Sequence, residues 1–328
     1  MSKIKNKLIY LKNKWELKRY QNKEIDMYMH CNDKINIEEA WIERFDYVLA
    51  VAAHTIEKGL GGENIKPEFG VDKAKRLCEL MLEYLSKGFP QHKFGFTEAY
   101  AVLNDYVRYK ESVSEEITGV KDLYNKIKSL ISDTVIYKSH KKIFEKEKMY
   151  CTEKISDFEQ YLASCRTVNN YSNEPLKEED ILDALRLAAY APCAYNRQPA
   201  KCYYTMNLQK IKCVDEVLPG NEIIKCKTPN YIIVTSKMTH FGVNEYNQWY
   251  VNGGIYIAYL RQALFMCNIG NFIYQWPITA DEKKLRSLYA IPKYEVIIAV
   301  IGIGYLSEDV FCIEVQRKAA GDYIVPVG

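Results

Sequence analysis

The segment Ala191-Pro192-Cys193-Ala194-Tyr195-Asn196-Arg197-Gln198-Pro199 follows directly on an apolar helical run and joins small residues, a proline and two amides. Pro192 and Ala194 carry little bulk, so a planar ring can approach the main chain there. Asn196 and Gln198 offer the donors and acceptors that the polar edge of a heterocycle requires. The same composition is ordinary turn punctuation, and on turn chemistry alone a helix-ending turn fits equally well.

Other kinds of chemistry find little support. The five histidines, at 30, 54, 92, 140 and 240, are spread through the chain without a Ser/His/Asp or Cys/His signature. His54-Thr55-Ile56-Glu57-Lys58-Gly59-Leu60 places a histidine and an acid on one helical face. Two ligands without a third make a poor metal site, and the following glycine reads as a C-terminal cap. Ten cysteines without a CxxC pair suggest reduced thiols in a cytosol. A net charge of +3, with no Zn-type or aromatic-basic signature, argues against nucleic acid.

The elements that must position the 191–199 segment are legible in outline. The 328 residues suggest two domains, or one with a large extension. Apolar stretches such as Val296 to Ile303 fall well short of the roughly 20 residues of a membrane span, which leaves a soluble or peripheral chain. In the first thirty residues, Ile4, Leu8, Leu11 and Trp15 recur at helical spacing among lysines. That is the pattern of an amphipathic helix, resting on its own protein, on a partner subunit or on an anionic bilayer.

Helices are then expected at 38–58, 71–86, 97–111 and 115–131, with Leu77, Met81 and Leu85 on one buried face. A charge-dense stretch puts a linker near Met149 to Thr152. This divides the chain into a helical extension, 1–150, and a second domain, 151–328. The second domain reads as helices at 157–164, 178–191 and 251–267, with strands at 201–206, 230–236 and 296–303. Helices packed around a small sheet make an α+β fold, without the βαβ alternation of a doubly wound one.

With these elements in place, a resemblance emerges. Cys165-Arg166-Thr167-Val168-Asn169-Asn170-Tyr171, then Glu174-Pro175-Leu176, then the 191–199 segment, are similar to the FMN-dependent nitroreductase family. Thr228-Pro229-Asn230, Asn252-Gly253-Gly254 and Ile303-Gly304-Tyr305 follow in the family's order. The likeness covers about residues 157–328. The extension, with its His-Thr-Ile-Glu-Lys-Gly-Leu run, resembles that of nitroreductase-like proteins associated with surface-polysaccharide clusters.

The resemblance implies a nitroreductase-like fold, with a small, mostly antiparallel central sheet surrounded by helices. It also implies a cytoplasmic homodimer that binds FMN at its interface and passes electrons from NAD(P)H to a small-molecule acceptor, quinone- or nitroaromatic-like, in a ping-pong cycle. The flavin would carry the chemistry, so no catalytic side chain and no metal is expected. Arg166 and Thr167 suit the phosphate or ribityl chain, and Pro192, Cys193 and Ala194 the ring, with Asn196 and Gln198 beside it. Cys193 is read there as a small residue, because no basic partner is identifiable.

Tyr274, Gln275 and Trp276 fall where the family turns a main-chain N–H toward flavin N5, though Trp276 replaces a common glycine. Arg317 and Lys318 resemble a second phosphate-binding group. The basic residues usual at the positions of Cys165 and Asn169 are missing, and Asn169 stands where the family approaches the pyrimidine edge. Two further readings accompany this one: a flavin-dependent oxidase or dehydrogenase acting on a peptide or sugar precursor, and a noncatalytic partner-binding protein whose flavin site has decayed.

Overall fold

The computed structural model describes residues 3–32, 38–60, 66, 68–132, 158–168, 171–218, 228–277, 281–308 and 320–327. The linker expected at 149–152 lies outside them, as do Asn169, Arg317 and Lys318.

The first part is helical: α1 (Lys3–Asn32), α2 (Glu38–Leu60), α3 (Val71–Ser86), α4 (Phe94–Ser112) and α5 (Thr118–Leu130). Apolar residues at three- and four-residue spacing give each of α2 to α5 one buried face. Leu49 and Ile56 of α2 meet Leu77 and Met81 of α3, Leu103 and Tyr106 of α4, and Ile127 of α5 in one core. Crossing α2 and α4 demands a glycine, because a Cβ on Gly95 would stand 2.0 Å from the Asp46 carbonyl oxygen. At the same crossing the Asp46 carboxylate caps α4 by accepting the Phe96 N–H at 3.0 Å.

Gly59 corrects the sequence reading. It lies inside α2 rather than beyond its end, and a Cβ there would overlap the Phe69 ring at 1.8 Å. The expected stripe on α1 also changes character. Leu8, Ile9, Tyr10, Leu11 and Trp15 are all exposed, so apolar residues surround that half of the helix instead of marking one face. The helix packs through its other end, where Tyr28 and Cys31 join Met238, Phe241 and Trp249.

The second part holds α6 (Phe158–Ser164), α7 (Glu178–Ala188), β1 (Ala200–Tyr203), α8 (Leu208–Val217), β2 (Asn230–Lys237), α9 (Gln248–Met266), β3 (Ile269–Gln275), α10 (Glu282–Tyr289) and β4 (Glu295–Tyr305). The four strands pair antiparallel in the order β1-β2-β4-β3. Side chains alternate across the sheet. Ile232, Val234, Ile301 and Ile303 pack on α7 and α9, while Tyr231, Ile233, Ile297 and Val300 pack with residues of α8 and α10. Both faces are covered, which explains the unbroken apolar runs of β2 and β4. The fold is α+β, as expected.

Ionic contacts tie the helical part to the sheet. The buried Glu43 carboxylate of α2 accepts from Lys93 at 2.5 Å and from Lys237, at the end of β2, at 2.6 Å. Burial pushes its pKa up, but the two ammonium groups outweigh that and bring it from 4.5 down to about 2. Arg44 donates to the carbonyls of Thr239 at 3.3 Å and Phe241 at 3.0 Å, just past the same strand.

Candidate functional site

The 191–199 segment leaves α7 as a tight loop against the N-terminal end of α9. Three non-glycine residues in it, Tyr195, Asn196 and Gln198, have φ values of 54°, 51° and 46°. Such left-handed positions cost about 1 kcal/mol or more each, so surrounding contacts must hold them. Within the loop, Asn196 N–H donates to the Cys193 carbonyl at 3.2 Å, and Gln198 N–H to the Cys193 sulfur at 3.1 Å. The Ala194 N–H donates to the Asn252 side chain at 3.3 Å.

The strongest brace is Arg197, whose side chain is 1% exposed. It donates to the carbonyls of Ala194 at 2.9 Å and His240 at 2.7 Å, and takes Glu245 bidentately at 2.8 and 2.6 Å. That fork holds the Glu245 carboxyl below its usual pKa. His240, wholly buried beside it, is pushed down from 6.5 to about 3 by burial and the nearby cations, so it is neutral. Arg197 was not assigned a role from sequence, where it is one charge inside an amide-rich turn.

With the loop held in this way, Pro192, Ala194, Asn196 and Gln198 are exposed on its outer surface. The Cys193 thiol is half-buried and its pKa is raised by burial, which keeps it protonated and unreactive. The loop therefore offers small residues and two amides to a flat partner, and no nucleophile.

Arg166 and Thr167 follow α6 and run beside β3, anchored where Val168 N–H donates to the Asn271 carbonyl at 3.0 Å. Here a residue overlooked in the sequence enters. Arg261, the only Lys, Arg, Asp or Glu in α9, donates from Nη2 to Thr167 Oγ1 at 3.3 Å and from Nε to Asn271 Oδ1 at 3.0 Å. A lone charge in an otherwise apolar helix was the signal available. Its guanidinium brings positive charge beside the 165–168 segment. Asn252 and Arg261 lie nine positions apart on α9, about 14 Å along its axis.

The end of β3 divides its three candidates. Tyr274 is buried and shares a hydrogen bond with Thr228 at 3.1 Å. Gln275 is exposed. Trp276 lines a cleft of about 240 Å³ against α1, together with Leu17, Tyr20, Met27, Tyr250 and Ile298. Among the described residues no group of three or more His, Cys, Asp or Glu is arranged to hold a metal ion, and no helix is long and apolar enough to cross a membrane.

No protein-family model matches the chain. A curated relative from Archaeoglobus fulgidus, named "Putative NADH dehydrogenase/NAD(P)H nitroreductase", is 23% identical over 146 residues, covering 44% of this chain and 82% of its own. A solved protein of the same name from Parabacteroides distasonis aligns at 18% identity and a TM-score of 0.46, over 53% of this chain and 99% of its own. An FMN-dependent nitroreductase from Clostridium difficile aligns at 16% identity and a TM-score of 0.40, over 49% and 92%. The landmarks read at 165–171 and 191–199 and the name of the curated relative point the same way: part of the chain is similar to a protein named as a nitroreductase, as the resemblance read over residues 157–328 suggests.

Proposed function

We propose that the protein is an FMN-dependent oxidoreductase that takes electrons from NAD(P)H and passes them to a small-molecule acceptor, working as a homodimer. The observation that carries this reading is the contact of Arg261 with Thr167 beside β3, next in the chain to Arg166 and at the far end of α9 from the exposed 192–198 loop. A guanidinium beside a hydroxyl is a donor pair suited to a phosphate dianion, and Arg166, adjacent in the chain, is the candidate to add a second charge. Pro192 and Ala194 leave a low surface for a ring, and the Asn196 and Gln198 amides can meet its polar edge. The residues present thus fit FMN.

When bound, the flavin would supply the hydride and electron chemistry itself. The chain's own task is to hold and orient. Arg166, Thr167 and Arg261 would anchor the phosphorylated tail, and the braced loop would fix the ring's position. The Arg261 charge also weighs against a decayed, noncatalytic site, since it offsets the missing base at Cys165.

Dimerisation is supported by the outer face of α9. Val251, Gly254, Ala258, Tyr259 and Met266 fall on one side of the helix and are all exposed, opposite a face buried through Ile257, Leu260 and Leu264. A Cβ at Gly254 would touch nothing within 4 Å, so a second helix can come close there. In such a pair the loop of one protomer would face the phosphate cluster of its partner.

The test is to reconstitute the purified protein with FMN and follow anaerobic bleaching of the flavin by NADH and by NADPH, then reoxidation by quinones and nitroaromatics. Bleaching by either donor is expected. Bound flavin that neither donor reduces would replace this reading with a substrate-fed oxidase or dehydrogenase.

A further inference from the structure

The His54-Thr55-Ile56-Glu57-Lys58 run of the helical extension does not face solvent at a distance from the site. It lies on the 193–198 loop. His54 Nδ1 meets Glu57 Oε2 at 2.8 Å, which fixes the imidazole, and the ring then stands edge-on to Tyr195 with centroids 5.6 Å apart at 76°. Lys58 Nζ sits 5.8 Å over the same tyrosine ring. Two turns earlier on α2, the Tyr47 ring lies 5.3 Å from the Arg197 guanidinium and 4.5 Å from that of Arg44. Arg44 in turn holds the Thr239 and Phe241 carbonyls.

Tyr195 and Arg197 are thus gripped from outside the domain that carries the loop, and Tyr195 is one of the three residues there at positive φ. The shallow cleft between Ala50, His54, Glu57, Phe94, Glu98 and Asn196 is about 10 Å³, room for at most one water. No substrate enters it, so these groups serve as support and not as a binding pocket.

We propose that His54, oriented by Glu57, and Lys58 are positioning residues that act through Tyr195 to hold the 193–198 loop in its ligand-ready shape, making the helical extension a working part of the site. The consequence for flavin rests on the function proposed above; the consequence for the loop does not. An edge-to-face aromatic contact is a directional interaction, and it locks a ring whose backbone would otherwise relax toward negative φ.

The experiment measures hydrogen exchange of the amides of residues 193–198 in the full-length protein without flavin, for the wild type, His54→Ala, His54→Phe, His54→Gln and Lys58→Ala. FMN titration of the same proteins follows. His54→Ala should speed loop exchange by about three- to tenfold, the size expected of one aromatic contact, while the sheet and α3 to α5 keep their protection. His54→Phe, which keeps a ring edge, should restore most of it, and His54→Gln should not. Lys58→Ala should act in the same direction with a smaller effect, and the FMN dissociation constant should rise in step with loop exchange. Unchanged loop exchange in both alanine variants, or a rise spread evenly over α2 to α5, would overturn the proposal. A wild type that binds no FMN while its loop still loosens in His54→Ala would sink the flavin reading and leave the positioning role intact.

Discussion

Replacing Glu43 by glutamine tests whether the helical extension and the sheet are one cooperative structure. The native carboxylate has a pKa near 2 against an ordinary 4.5, because Lys93 at 2.5 Å and Lys237 at 2.6 Å more than repay its burial. A depressed acid stabilises the fold above its unfolded pKa and loses that contribution as pH falls from about 4.5 toward 2. A shift of this size corresponds to about 3 kcal/mol when fully expressed. Glu43→Gln keeps the shape and removes the charge, so urea unfolding at pH 7 should show it less stable by about 3 kcal/mol. The gap should narrow steadily below pH 4.5, with fluorescence and circular dichroism reporting one shared transition. A gap that stays constant down to pH 3, or is under about 0.5 kcal/mol at pH 7, would show that the bridge is an ordinary surface pair and refute the reasoning.

Arg261→Leu should weaken FMN by about 1.5 to 3 kcal/mol, with Arg261→Lys intermediate because it keeps the charge and loses the fork, as measured by flavin fluorescence titration. Arg197→Met removes four donor contacts and leaves Glu245 with the Gly242 N–H but no cation; since Glu245 remains 28% exposed, a loss of about 2 kcal/mol is expected in thermal or urea unfolding. His240 contributes a separate acid sensitivity. Its pKa is depressed from 6.5 to about 3, so its stabilisation is present above 6.5 and fades on acidification below it, and proton NMR should find its ring neutral at pH 5.5. Tyr259→Glu on the exposed face of α9 should turn the proposed dimer into monomers by sedimentation velocity and lower FMN affinity in parallel.

How much of this was legible in the sequence depends on whether the signal was local. Helix α3 was read end to end, and β2 and β4 within two residues, because their apolar periodicity and β-branched runs are decided by what each element buries. Strand β3 escaped because Gly270 and Asn271 interrupt it. Their purpose appears only in three dimensions, where Asn271 bonds Arg261 and anchors Val168. Gly59 looked like a cap since the ring that needs its missing Cβ, Phe69, lies beyond the helix end. The loop's small residues and amides were visible as a candidate site, but its braces come from His240, Glu245 and α2, which are distant in sequence. The His54-Glu57 pair was noticed as chemistry and could be placed against Tyr195 only by the fold.

The central claim is that residues 166, 167 and 261 and the 192–198 loop together make an FMN site. Equilibrium dialysis of the purified protein against FMN, with sedimentation of the same sample, tests it most directly. One flavin per protomer on a dimer, with binding weakened at least about tenfold by both Arg166→Ala and Arg261→Leu, is the predicted result. A folded dimer that takes up no FMN at saturating concentration, or that binds it equally well without either arginine, would contradict the account.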